Sequence, residues 1–274
     1  MAPQFVRPFV KSQKNDYQDA EAIAEAVQRP TMRFVPLKTE DQLDVQALHR
    51  VRNRLVARRT AVINQLRAFL LERGLTVRTG RRHFERALPE LLEDAENGLS
   101  VRMLRIVVRL RDEWRAIEST IRDVTHELET IAHGNLVCQR LVEIPGIGPL
   151  GATAIVAAIG NGTMFRKGRD FAAWLGLVPR QHSTGGKPTL LGISKKGPSH
   201  LRRYLIHGAR SVYRLADRSK LALSGWLQAL DARAHPNVVI VALANKIARI
   251  VWAVLTRDEP YRSIDVRTSV VAPG

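Results

Sequence analysis

Thiols are nearly missing from this 274-residue chain, which holds a single cysteine, Cys138. One thiol excludes an intramolecular disulfide framework and a thiolate zinc cluster, and the composition suits a reducing cytoplasm. Acidic residues are scarce as well. Asp and Glu number 26 against 43 Lys and Arg, which leaves a formal charge of +17. A folded chain this basic has a polyanion as its default partner, against the alternative of a merely soluble basic surface. Uninterrupted apolar runs are also missing. The longest apolar stretch, Val238 to Leu255, carries Asn245, Lys246 and Arg249 in its middle. It therefore reads as a buried amphipathic helix and not as a membrane span. Met1 to Val10 lack the apolar core of a signal peptide. No basic amphipathic helix of the membrane-surface type stands out. No internal repeat and no low-complexity tract is present.

What remains is enough to build a core. Apolar residues make up 45% of the chain, and the length suits one large domain or two smaller ones. Asp16 to Val27 reads as a helix, followed by a proline-bounded extended stretch from Arg29 to Pro36. Residues 39–73 form one long helical pattern. Leu48, Leu55, Val62 and Phe69 recur every seven residues, with Val56, Ile63 and Leu70 beside them. The rest of that helix is basic: Arg50, Arg52, Arg54, Arg58, Arg59, Arg67 and Arg73. Gly74 and Gly80 then break it.

Residues 99–132 carry the clearest periodicity. Met103, Val107, Leu110, Trp114, Ile117, Ile121, Val124, Leu128 and Ile131 are spaced alternately four and three apart. That 3.5-residue repeat is the pattern of a left-handed coiled coil, with a seam roughly 40 Å long. An ordinary bundle core is the plainer reading of the same stripe. The two long helices can pair as an antiparallel hairpin or meet copies in a second chain. Beyond residue 136 the composition changes. Glycine and proline become frequent between 145 and 198, and helices resume at about 199–216 and 236–256 around a tryptophan-containing segment. The expected organisation is 1–38, 39–135, 136–258 and a tail at 259–274.

Four constellations could carry chemistry. In Lys14-Asn15-Asp16-Tyr17-Gln18-Asp19-Ala20, Asp16 and Asp19 lie three apart at a helix start, so their carboxylates share a face. Such a pair can hold Mg²⁺ together with waters and substrate phosphates; it can equally serve the first helical turn as a cap. Leu141 to Ala152 contains Ile144-Pro145-Gly146-Ile147-Gly148 between two apolar segments. This is a helix-hairpin-helix pattern, in which Gly146 and Gly148 would let the backbone approach a phosphate without reading sequence. A plain inter-helix turn is the alternative.

The third constellation runs from Trp174 to Lys187 and on through Gly192-Ile193-Ser194-Lys195-Lys196-Gly197. Its hydroxyls beside glycines, flanked by Arg180, Lys187, Lys195 and Lys196, suit phosphate binding. Ser183 or Thr184 could also be a nucleophile, with His182 or Lys187 near in sequence, provided that a base or a positive field activates the hydroxyl. The fourth is the helix Ser199 to Arg218, whose Arg202, Arg203, Arg210, Arg214 and Arg218 make either a solvated face or a nucleic-acid groove.

The blocks KNDYQDA, IPGIG, WLGLVPRQHSTGG and GISKKGPSHLRRYLIHGAR, in this order and with the coiled-coil region between the first and second, resemble the IS110 (IS116/IS110/IS902) family of insertion-sequence transposases from about Lys11 to Leu255. The resemblance implies a mainly α chain. Its parts would be a remnant of an α/β RuvC-like domain, a long coiled-coil segment and a C-terminal helical transposase domain with a helix-hairpin-helix. It further implies Mg²⁺ as cofactor, four acidic ligands of which two carry over to Asp16 and Asp19, and a catalytic serine. The partners implied are DNA, a structured guide RNA and further copies of the chain, as a homodimer or higher oligomer, in a nucleoid-associated cytoplasmic setting.

Two departures from the pattern shape the expectation. The family's other two acidic ligands fall upstream of Met1, so this chain is expected to hold half of the set. The family's serine falls on Thr184, with Ser183 just before it. Threonine keeps the hydroxyl but adds a methyl that restricts χ1. Either Thr184 serves, or Ser183 replaces it, or the site is inactive. The expected behaviour is nucleic-acid binding with impaired strand exchange. A non-enzymatic helix-hairpin-helix binding protein is the rival reading, and a purely structural oligomerisation protein is a third.

Overall fold

The computed structural model describes residues 1, 3–11, 15–30, 32, 34–94, 96–215 and 223–261. Lys14, Arg218 and the tail beyond residue 261 lie outside the described residues. The fold is mainly helical, as the periodicities require. At the front, α1 (Pro3–Val6), a 3-10 turn (Arg7–Phe9) and α2 (Asp16–Val27) pack on one another. Ala22 and Ala26 form the buried face of α2. No strand occurs among the described residues before α3.

The long helix α3 (Glu40–Leu71) starts at a capping box. The Thr39 hydroxyl accepts from the Gln42 N–H at 3.2 Å, and the Gln42 side chain accepts from the Thr39 N–H at 3.1 Å. Reciprocal satisfaction of two orphan donors fixes the first turn. The helix ends at Gly74, whose φ of 75° lies in the left-handed region. After α4 (Arg81–Glu93), α5 (Val101–Gly134) returns along α3. Arg52 donates to Thr125 at 2.8 Å, Arg59 meets Glu118 at 3.1 Å and Arg58 meets Glu113 at 2.9 Å. Rising numbers on one helix against falling numbers on the other make the pair antiparallel. The expected stripe on α5 faces α3, so its apolar surface is buried within the chain.

At 1.5 Å per residue the two helices form an arm roughly 50 Å long. One core fills most of it. Leu55, Val62, Ile63, Leu66 and Leu70 of α3 meet Met103, Val107, Trp114, Ile117 and Ile121 of α5. The helix α4 was not foreseen from the sequence. It closes the arm's far end with fully buried Phe84 and with Leu88, Phe84 lying 5.8 Å from the Trp114 ring. Each such side chain contributes about 1.5–3 kcal/mol by leaving water.

The second core lies beyond residue 132. Its elements are α6 (Leu136–Val142), α7 (Pro149–Ile159), α8 (Gly168–Trp174), α9 (Ser199–Leu215), α10 (Ser224–Asp231) and α11 (Pro236–Arg257). Helix α7 is central and touches α3, α5, α6 and α9. Its small buried residues Gly151, Ala152, Thr153, Ala154 and Ala157 allow that close approach. Helix α11 is long and apolar enough to cross a membrane by composition. Here Val239, Ile240, Leu243, Ala244, Ile247, Ala248 and Val251 are buried against the other helices, which agrees with the core-helix expectation.

Part of the expected glycine-rich loop is instead a β-hairpin. Strand β1 (Pro179–Thr184) pairs antiparallel with β2 (Lys187–Ile193). The link is Gly185-Gly186, with φ of 58° and 76°. Two consecutive positive φ values are what a two-residue hairpin turn with strand-matching twist demands, and glycine supplies them without strain.

Candidate nucleic-acid interface and catalytic residues

Asp16 and Asp19 stand exposed in the first turn of α2. Neither caps the helix: the Asn15 side chain accepts from the Tyr17 N–H at 3.1 Å and does so itself. The carboxylates share a face, and their donor set fits one hard divalent ion that keeps most of its waters. Among the described residues no group of three or more His, Cys, Asp or Glu side chains gathers there or elsewhere.

Ser183 and Thr184 lie at the tip of the hairpin, exposed. Alternation along the strand separates them. Ser183 shares a face with Gln181, whose amide donates to the Ser183 hydroxyl at 2.8 Å. An amide cannot take a proton, so this partner does not serve Ser183 as a base. Thr184 shares the other face with His182 and stands directly across from Lys187, where cross-strand Cβ atoms approach to about 5 Å. Of the two hydroxyls, Thr184 therefore shares its strand face with an imidazole and pairs across the hairpin with a lysine. The hairpin pairs strand on strand while α2 packs on α1 and the 3-10 turn, so the chain does not bring Asp16 and Asp19 to Thr184 through any of these packings.

The turn between α6 and α7 treats its two glycines differently. Gly146, with φ 93°, is pressed against Gly208 of α9, and a Cβ on it would lie 3.0 Å from the Gly208 carbonyl carbon and oxygen. Its role in the structure is to let two backbones touch. Gly148 is exposed, caps α7 and has nothing near its missing Cβ. The backbone there is open to a ligand.

The basic candidates also divide. Arg180, Lys187, Lys195 and Lys196 are exposed. Arg202 is occupied: its guanidinium donates to the carbonyls of Leu175 and Lys196, both at 2.9 Å, and so joins the end of α8 to the segment after β2. Arg203 reaches Asn53 of α3 at 2.9 Å and thereby ties α9 to the arm. Arg52, Arg58, Arg59 and Arg67 on α3, and Arg73 just beyond its end, bind groups of the chain itself. Arg50 and Arg54 remain exposed on the same helix. Burial lowers the pKa of His200, on the first turn of α9, and Arg203 and Arg50 lower it further. Cations from both helices thus converge where the arm meets the second core.

Beneath that junction lies a buried polar chain that the sequence did not suggest. His49 is 3% exposed. Its Nε2 lies 3.0 Å from the Thr153 hydroxyl and its Nδ1 3.4 Å from the Tyr204 hydroxyl. Thr153 donates its own proton to the Pro149 carbonyl at 3.0 Å. The consistent tautomer has His49 Nε2–H donating to Thr153 and Nδ1 accepting from Tyr204. Burial, then His200 and Arg52, push the His49 pKa down to about 4, so the ring is neutral at physiological pH.

Comparison with known proteins decides the family. Residues 138–223 match the family model described as Transposase IS116/IS110/IS902 family, and residues 2–73 match a DEDD-type transposase model of the IS110 group. The chain is 48% identical over 263 residues to a probable family 20 transposase of Pseudomonas aeruginosa, covering 96% of this chain and 78% of that one. It is also 48% identical to the transposase for insertion sequence element IS1111A of Coxiella burnetii, covering 96% and 72%. The transposase for IS1328 of Yersinia enterocolitica is 44% identical, covering 95% and 77%. The chain belongs to the IS116/IS110/IS902 transposase family. The resemblance carried by the four ordered motifs is thereby established, and with it a role as the transposase of an insertion sequence.

Proposed function

We propose that this transposase binds DNA along the face where α3 meets α9, and that Thr184 is its nucleophile. The observation that supports the binding face is the Arg203–Asn53 link, which holds Arg50, Arg54 and the start of α9 on one side of the molecule. The turn from α6 to α7 acts as a helix-hairpin-helix whose open Gly148 backbone receives a phosphate. Lys195 and Lys196 extend the same charge, and a guide RNA is a second polyanion for it. A Mg²⁺ ion bound at Asp16 and Asp19 would supply Lewis-acid activation of a phosphodiester. The Thr184 oxygen attacks phosphorus and forms a threonyl phosphodiester as the bond from phosphorus to one deoxyribose oxygen breaks. His182 takes the hydroxyl proton, the leaving oxygen takes a proton from His182 or water, and Lys187 offsets charge on the phosphate. Among the described residues α2 packs on α1 and the 3-10 turn, and the hairpin strands pack on each other; assembly between copies of the chain, in a cytoplasmic, nucleoid-associated homo-oligomer, would complete the site.

Salt-dependent binding to duplex DNA tests the first half. Changing the exposed Arg50 and Arg54 to Gln should flatten the dependence of log K on log salt by about 1.8; an unchanged slope refutes the face. Nicking assays with Mg²⁺ test the second half. Two carboxylates seat fewer ions than two-metal chemistry uses, so nicking by this chain alone is expected to be slow. It should be lost in Thr184→Val and kept in Ser183→Ala. Robust nicking abolished by Asp16→Ala would show that the carboxylate pair suffices.

A second reading is favoured by the exposure of the whole hairpin. Thr184 is exposed, and water there competes with any base for its hydroxyl. A non-enzymatic binding protein would bind DNA with the same salt dependence and be indifferent to both hydroxyl substitutions.

A further inference from the structure

Helix α11 contains no acidic residue, and its Lys246 and Arg249 lie three apart, on one face. They stand between two clefts. On one side a basic cleft of about 480 Å³ is lined by Lys167, Arg169, Lys246 and Arg249. On the other an apolar cleft of about 700 Å³ is lined by Leu177, Leu191, Trp226 and Val238, with Lys246 and Arg249 at its edge. Among the described residues no acidic side chain lines either one. Lys246 Nζ lies 5.7 Å from the centre of the Trp226 ring, which is 38% exposed. Gly168 brings the cations together: a Cβ there would lie 3.2 Å from the Arg249 backbone, a tight contact that glycine spares as Lys167 and Arg169 flank α11.

A row of cations joined to an apolar cleft with an exposed indole is the pairing that an unpaired polynucleotide requires. Phosphates take the charged side and bases stack on the aromatic side without regard to sequence. A closed duplex offers phosphates but keeps its bases stacked inside, and so leaves the apolar cleft unfilled. We propose that the α8–α11 face is a second nucleic-acid site, which holds single-stranded DNA. This rests on the reading of the chain as a DNA-handling protein, and the site is distinct from the α3–α9 face proposed for the duplex.

The test is titration of the full chain with a short oligothymidylate, followed by intrinsic tryptophan fluorescence and by anisotropy of a labelled strand. Lys246→Gln with Arg249→Gln should weaken binding at least tenfold and make the salt slope shallower by about 1.4. Lys167→Gln with Arg169→Gln, on exposed side chains outside the core, should do the same and guards against a folding defect. Trp226→Ala should cost about tenfold. None of these should alter duplex binding. Unchanged oligothymidylate affinity overturns the site, as does equal loss of duplex and single strand. Tighter binding of the matching ribo-oligomer overturns the assignment to DNA. Sedimentation with phosphatidylserine vesicles in place of oligonucleotide binding would assign the face to a membrane surface. Failure of wild-type duplex binding refutes the functional reading instead, so the two failures are distinguishable.

Discussion

His49 makes stability depend on pH in a defined window. Its ring is buried among Thr153 of α7, Tyr204 and His200 of α9, and Arg52 of its own helix. In the unfolded chain it takes a proton near 6.5, while in the fold it does so only near 4. Above 6.5 the ring is neutral in both states and the fold loses nothing. As pH falls from 6.5 to 4 the unfolded state binds a proton that the fold refuses, and stability falls at up to 1.36 kcal/mol per pH unit. The full loss is about 3 kcal/mol, of which about 2 kcal/mol is reached by pH 5. Burial of His200 adds a loss of the same sign.

Urea unfolding of the wild type at pH 7.5 and pH 5 should show this loss as a midpoint shift of about 1 M. His49→Gln offers one amide donor and one acceptor to the same partners but cannot titrate. It should lower stability at pH 7.5 and shrink the shift between the two pH values by more than half. A histidine ring resonance that stays unprotonated to below pH 5 in the wild type and is missing in the variant would identify the group. A variant with the wild-type pH shift, or a His49 resonance titrating near 6.5 in the folded protein, would refute the argument.

Four further outcomes follow from the packing. Gly208→Ala places a Cβ on the Gly146 carbonyl and should cost about 3 kcal/mol in denaturant unfolding. Gly148→Ala meets open space and should leave the melting temperature within a few degrees while weakening DNA binding. Phe84→Ala removes the ring against Trp114 and under Arg67, 4.8 Å away; it should cost about 3–5 kcal/mol by the same measurement. Arg202→Ala leaves the Leu175 and Lys196 carbonyls without their donor and should lower stability by about 1–3 kcal/mol. Its duplex salt slope should stay as in the wild type.

What the sequence disclosed and what it concealed differ by the range of the interaction. The α5 stripe was legible because Met103 through Ile131 repeat locally, and a local repeat fixes which face is buried. The two long helices and α11 follow from the same kind of signal. The hairpin is only half legible: Gly185-Gly186 is a two-residue turn signal, but its flanks, Arg180 to Thr184 and Lys187 to Ile193, lack the regular apolar alternation that marks strands. Arg202 and Arg203 look alike on a helix, yet one holds two carbonyls and the other holds Asn53 of α3. Only tertiary contacts separate them. The same holds for the two glycines of the α6–α7 turn. Gly146 is needed because Gly208, 62 residues later, has no side chain either. Among the described residues nothing packs against the place of a Gly148 Cβ. A glycine that packing does not require, at the open start of a central helix, is available to serve a ligand. For the same reason Lys246 and Arg249 could not be ranked from the sequence: they break an apolar run, and only the fold shows that both emerge between a basic cleft and an apolar one.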